Sequence, residues 1–244
     1  MDIVLSEREN LKAAFVSRFE ELIISGTYPI GSRLPSERDL ASLLGVSRPV
    51  VREGLVELQS MGLVSMRSRS GTVVNDYRRE GSLSLLEALF KYDKGEPDRD
   101  LLNGMISMRG LFEVECARLA ALNRTEAALA EFASMLDEEG SLPAADTEAW
   151  VDVDFRFHHL IALSSGNPVY PLQINSLKPF YRSMTRIFYA DLLVVPDIRR
   201  FHKRLVRAIA DGDGERAAKE IRLMLEHGEK GLQGPLTRAR EERA

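Results

Sequence analysis

The sequence predicts a mostly α-helical protein: an N-terminal winged helix-turn-helix, helical with a small β-hairpin wing, followed by an all-α antiparallel bundle. Two observations carry this. Residues 36–62 spell two short helices around a tight turn, with a β-favouring stretch behind them. From residue 98 onward the apolar residues recur only at the helical period, and no stretch alternates as a strand would.

The elements follow in order. From about Glu7 to Ser25, Leu11, Phe15, Phe19, Leu22 and Ile23 mark one face of an amphipathic helix, the third wall of a small core. Ser36 follows Pro35 and precedes Glu37, Arg38 and Asp39, so its hydroxyl can accept from free backbone N–H groups while the acids favour the positive end of the helix. Leu40, Leu43 and Leu44 then fall on one face, and Gly45 turns the chain at low steric cost. Ser47 is read as the cap of the second helix, with Pro49 in its first turn, where a missing N–H is harmless. Val51, Leu55 and Leu58 form its buried stripe, which leaves Arg48, Pro49, Val50 and Arg52 at the exposed N-terminal end. After Gly62, LVSMRSRSGTVVND gives two short strands joined by a turn at Gly71 and carrying Arg67 and Arg69. Residues 77–81, YRREG, read as linker, and SLSLLEALFKYD as a connecting helix. Further helices are predicted at about 98–122, 125–138, 146–164, 168–191, 196–210 and 213–232, joined by short loops as in an antiparallel bundle. The charged tail behind Gly234 and Pro235 reads as frayed. The expected domains are therefore 1–76, a connecting segment 77–95, a helical domain 96–232 and a tail 233–244.

Composition narrows the function. The net charge is −4, and residues 1–76 hold nine Lys or Arg against ten Asp or Glu, so bulk charge does not argue for nucleic acid. Placement does: Arg33, Arg38, Arg48, Arg52, Arg67 and Arg69 all lie on the turn elements and wing that would face a duplex. The lone cysteine, Cys116, excludes an intrachain disulfide framework and reads as a small core residue. With no signal-type apolar run at the N-terminus, a cytoplasmic location is expected. No stretch approaches the roughly 18 consecutive apolar residues of a membrane span.

The ordered match of TYPIGSRLPSERDLASLLGVSRPVVREGLVELQSMGLV, within residues 7–76, resembles the N-terminal domain of the GntR family of bacterial transcription regulators. In the second half, MRGLFEVECARLAA, DFRFHHLIALSSGNPVY and FHKRLVRAIADGDGERAA are similar to the FCD domain of one GntR branch. GSLSLLEALFKYD and SSGNPVYPLQINSLKPFYRSMTRIFYA resemble its FadR subfamily. The resemblance implies a homodimer on a double-stranded DNA operator, controlled by a small acidic metabolite, carboxylate or acyl-CoA, bound in the helical domain. Arg48 and Arg52 are then expected to reach bases or phosphates. Arg33 is expected at the DNA-facing side, Arg38 and the helix ends at Ser36 and Ser47 would hold backbone phosphates, and Arg69 with Gly71 would approach the minor groove.

Asp154 and His158, four apart on a helix, project from one face and can share a cation or simply pair by a hydrogen bond. The resemblance implies a divalent metal, Zn, Ni or Mn, on Asp154, His158, His202 and a histidine of a later helix. That fourth position falls on Met224, a poor ligand beside oxygen and imidazole, and His227 one turn on substitutes only if the helix shifts. Arg109, in a mostly apolar helix, suits a carboxylate of the effector or a salt bridge to Glu113. Phe180, Tyr181, Phe188 and Tyr189 suit a core or an acyl pocket, and Arg182 a phosphate or solvent. Asn167 before Pro168 is a turn or cap residue as well as an effector candidate. A metal-dependent hydrolase with an accessory DNA-binding domain is the rival reading. It lacks a glutamate in helical register with the histidines, and a third reading leaves the bundle to dimerisation alone.

Overall fold

The computed structural model describes residues 7–67, 71–92 and 99–241. The chain divides into two compact units, Met1–Pro97 and Asp98–Ala244.

In the first unit, α1 (Glu7–Ile24), α2 (Glu37–Leu44) and α3 (Arg48–Ser60) enclose a core of Phe15, Phe19, Ile23, Leu40, Val51, Leu55 and Leu58. Ser36 caps α2 by accepting from the Asp39 N–H at 3.2 Å, and Gly45 closes it in the left-handed region at φ 66°. The predicted leucine face of α2 is narrower than expected: Leu40 is buried with Ala41, whereas Leu43 and Leu44 are exposed. Eight residues make little more than two turns, so only one turn of α2 reaches the core. Leu11 likewise lies outside the packed part of α1.

The wing is the antiparallel pair β1 (Val64–Arg67) and β2 (Gly71–Val74), with Val64 opposite Val74. Sequence reading missed a third participant: Arg33 bridges Val73 in antiparallel fashion, Leu34 N–H donates to Thr72 at 2.9 Å, and Val74 N–H donates to Ser32 at 2.9 Å. The turn ahead of α2 is thereby tied to the wing.

Residues 77–80, expected as linker, form one helical turn, α4 (Tyr77–Glu80), because Asp76 accepts from the Arg78 N–H at 3.2 Å. The chain then returns to the end of α3, where Ser82 N–H donates to the Met61 carbonyl at 3.0 Å. Gly62, at φ 82°, passes so close to this return that a β-carbon on it would lie 2.0 Å from the Glu80 carbonyl oxygen. α5 (Leu85–Tyr92) packs on α1 and contributes Leu85 and Ala88 to the same core.

The second unit contains α6 (Arg99–Leu122), α7 (Glu126–Ser141), α8 (Thr147–Ser164), α9 (Tyr170–Ser176), α10 (Lys178–Tyr189), α11 (Val195–Asp211) and α12 (Gly214–Glu241). No strand occurs here among the described residues. The single helix expected at 168–191 is two, parted at Leu177, because Pro179 has no N–H to continue the ladder and so sits in a first turn. α12 runs through Gly234 and Pro235 to Glu241, where a frayed tail was expected; the helix formers Arg238, Ala239, Arg240 and Glu241 suit its continuation past the proline. α6 packs against α8, α11 and α12, and α8, buried over most of its length, packs against α6, α7 and α10. Trp150, Phe132, Phe157 and Tyr189 fill the centre, each contributing roughly 2 kcal/mol by burial. Cys116 is buried, and burial beside Glu113 pushes its thiol up to about 12, as suits an inert core residue.

Candidate functional site

Two sites emerge, one in each unit. On the first, Arg48, Pro49 and Arg52 are exposed on the first turns of α3, four residues apart in the case of the two arginines. Arg52 makes only a loose contact with Glu37, at 3.4 Å, and Arg38 one of 3.5 Å with Asp39. Arg33 and Gly71 are exposed on the wing side, Gly71 at φ 76°; Arg69 lies outside the described residues. Ser36 is engaged on both sides, since its hydroxyl also donates to the Asp39 carboxylate at 2.6 Å and holds that group below its ordinary pKa.

Two expectations on this face need correction. Val50 is buried, at 2% exposure, so it does not belong to the presented end. The buried face of α3 is wider than the 51/55/58 stripe, because Gly54, one turn on from Val50, lets Phe15 close in; a β-carbon there would lie 2.3 Å from the Phe15 ring. Ser47 stands at the cap position with extended backbone, yet its side chain makes no capping hydrogen bond. Its hydroxyl is exposed beside Arg48.

The second site is a cavity of about 60 Å³, the volume of a few water molecules, lined by groups from α6, α8, α10, α11 and α12. Asp154 and His158 from α8 bring polar atoms to it, and His202 from α11 stands behind them. One ligand-capable atom from each lies within 4.8 Å of the others. Both histidines are held from behind. The His158 Nδ1 contacts the Glu113 carboxylate of α6, and the His202 Nδ1 lies 2.6 Å from Glu139 Oε1 of α7. A carboxylate accepts only, so each Nδ1 carries a proton, and in the neutral imidazole Nε2 then presents its lone pair.

Among the described residues His202 Nε2 is buried with no hydrogen-bond partner, 3.8 Å from Asp154 Oδ1. Such an orphan costs about 1–3 kcal/mol unless something fills it. The gap is too long for a hydrogen bond and of the order of the separation between two ligands of one tetrahedral ion, roughly 3.4 Å for bonds of about 2.1 Å. Two imidazoles and a carboxylate are an appropriate donor set for Zn, Ni or Mn. The residues therefore fit a divalent cation.

Asp154 also accepts from two tyrosines of α10: Tyr181 Oη at 2.7 Å and Tyr189 Oη at 2.9 Å. Burial, with the Asp154 charge beside them, raises both phenol pKa values well above the ordinary range, so both remain donors. Arg109 stacks over the Tyr181 ring at 4.4 Å and pairs with Glu113 at 2.5 Å. Burial opposes both charges, but each supports the other: the Arg109 pKa is raised, and Arg109 and His158 bring the Glu113 carboxyl down to about 2. Arg109 is thus the salt-bridge partner of Glu113, and it also lines the cavity.

The remaining candidates fall elsewhere. Met224 lines the cavity, whereas His227 lies against Phe188 and Phe201 with Nε2 3.8 Å from Asp197, apart from the three-residue cluster. The three-residue step from Met224 rotates it off the lining face. Asn167 serves its turn, its side chain accepting from the Val169 N–H at 3.0 Å. Arg182 pairs with Asp152 at 3.0 Å and Arg186 with Glu148 at 2.5 Å, on the outer side of α8 and α10. Neither Asn167 nor Arg182 lines the cavity. Phe180, Tyr181, Phe188 and Tyr189 are all buried, and Tyr181 and Phe188 are at once core and cavity wall.

Sequence reading missed Glu139. It follows Phe132 and Met135 at helical spacing, so a carboxylate stands in the apolar stripe of α7; that was the available signal.

A winged helix with exposed arginines on α3, joined in sequence to a helical unit whose cavity is lined by apolar and polar side chains, is the architecture of a DNA-binding transcription regulator. The chain belongs to the GntR family of bacterial regulatory proteins, matched over residues 11–74, in the branch that carries the FCD domain, matched over residues 104–227. It is 34% identical over 215 residues to the HTH-type transcriptional regulator Mce2R of Mycobacterium tuberculosis, covering 85% of this chain and 87% of that one. It is 27% identical over 202 residues to the fatty acid metabolism regulator protein of Proteus mirabilis, covering 83% and 82%. Among solved structures, that of Lar, which controls the Listeria monocytogenes agr system, shares the fold with a TM-score of 0.64 at 18% identity, over 95% of this chain and 99% of that chain. These families and relatives are regulators, so the hydrolase alternative is set aside. No described helix is long and apolar enough to cross a membrane.

Proposed function

We propose that the protein represses or activates transcription as a cytoplasmic homodimer on a double-stranded DNA operator, and that a small carboxylate metabolite bound in the cavity of the FCD domain controls it. The observation that carries this reading is the convergence of Asp154, His158 and His202, with the unpartnered His202 Nε2 facing the carboxylate. A divalent metal there would be held by these three side chains and would supply a Lewis-acidic position for the effector's carboxylate. Arg109 orients that carboxylate from the α6 side, while Tyr181 and Tyr189 keep Asp154 in place. Ligand contacts would favour one arrangement of the dimer over another and so change the fit of two recognition helices to half-sites about 34 Å apart.

Elemental analysis of protein purified without a histidine tag tests this, wild type beside His158→Ala. Near-stoichiometric Zn, Ni or Mn in the wild type and its loss in the variant is the expected result; metal in neither would sink the metal reading. A second reading would then take its place, an acyl-type effector. It is supported by the apolar wall of Met184, Phe188, Ile198, Met224, Leu225 and Leu232, and by the relatives named for fatty acid metabolism.

A further inference from the structure

We propose that Glu139 is a positioning residue for cation binding in this cavity, acting through His202; the inference rests on the metal reading above. Glu139 is 1% exposed, and its side chain is placed where the spacing of α7 calls for an apolar residue. Its carboxylate meets His202 Nδ1 at 2.6 Å.

Packing does not require that arrangement. A buried carboxylate hydrogen-bonded to an imidazole stabilises a fold no better than two well-packed apolar residues would, because desolvation offsets the attraction. Nor is the imidazole there simply to be satisfied, since Nε2 is left bare. The pair makes sense as an orienting device. The carboxylate fixes the tautomer, and stacking of the His202 ring on Phe157, with centroids 3.7 Å apart and planes 17° apart, fixes the ring plane. With both set, the Nε2 lone pair is held at the place where it faces Asp154. A carboxylate behind a ligand histidine also raises the basicity of its free nitrogen.

Glu113 stands in the same relation to His158 but is shared with Arg109, so its replacement would disturb the cavity wall as well. Glu139 is the cleaner test. Its backbone carbonyl, which accepts from Arg199 at 2.5 Å, is untouched by a side-chain substitution.

The experiment uses the full-length, untagged chain. Zn2+ affinity is measured by competition with a chromophoric chelator for wild type, Glu139→Gln and Glu139→Ala, and the visible absorption of Co2+-loaded wild type and Glu139→Gln is compared. Gln keeps an acceptor opposite Nδ1 but removes the charge, so Zn2+ is expected to bind about 10-fold more weakly, with shifted Co2+ bands; Ala is expected to lose about 100-fold. Should the Ala variant fail to fold, the Gln variant still decides. Unchanged Zn2+ affinity and Co2+ bands in Glu139→Gln, with only the melting temperature altered, would overturn the positioning role and leave the metal reading intact. A wild type that binds no Zn2+ overturns both.

Discussion

Gly62→Ala is expected to destabilise the N-terminal unit by roughly 4 kcal/mol, on the scale of the whole stability of such a domain. Two effects add. At φ 82° any L side chain is strained by about 1–2 kcal/mol, and the new β-carbon would lie 2.0 Å from the Glu80 carbonyl oxygen and 2.7 Å from the Gly81 α-carbon. Those atoms are backbone, so relief requires moving α4 away from the end of α3, at a further 1–3 kcal/mol or so. For a unit of this size the melting temperature should fall by about 15–30 °C. Calorimetry on the full chain would read it as one transition displaced while that of the helical unit stays, with operator binding lost at 37 °C. A thermogram superimposable on that of the wild type would show that the 62/80 approach is not held in solution.

The double substitution Arg48→Ala, Arg52→Ala should weaken specific DNA binding by at least 100-fold with the fold intact. Both side chains are exposed on the first turns of α3, and each good base or phosphate contact contributes about 1–3 kcal/mol, a contribution that a homodimer doubles. Fluorescence anisotropy on a duplex selected from random sequence by the wild type would measure it. Arg38→Ala serves as a comparison: a phosphate contact should weaken all duplexes alike and lower the salt slope by about 1. Equal affinity of the double variant and the wild type for the selected duplex would remove α3 from the interface.

What could be read from the sequence was what is written locally. Ser36, Gly45 and the Pro49 turn each act on residues within one helical turn, and the structure has them as spelled, save that the Ser47 hydroxyl is idle. Asp154 and His158 were legible because four residues of helix place them on one face. The contacts that hold the site together were not, because they run across the chain: Tyr181 reaches Asp154 over 27 residues, Tyr189 over 35, and Glu139 reaches His202 over 63. Val50 and Leu43 were misplaced for the same reason, since which face of a helix is covered depends on what the rest of the chain packs against it, as Phe15 does at Gly54 of α3. The wing's third participant, at Arg33, was hidden because a single bridge leaves no alternating pattern to find.

The return of residues 77–92 onto the helix-turn-helix bears on how such regulators can be recombined. A chimera that takes the DNA-reading module only as far as Asp76 would leave behind Leu85 and Ala88, which are 2% and 5% exposed, and the Ser82 N–H that satisfies the Met61 carbonyl. The transplanted piece would carry an uncovered apolar patch on α1 and would depend on its new host to supply a substitute. Cutting after Tyr92 keeps the module's own closing segment with it, so the transferable part of this protein extends two helices, α4 and α5, beyond the motif that reads DNA.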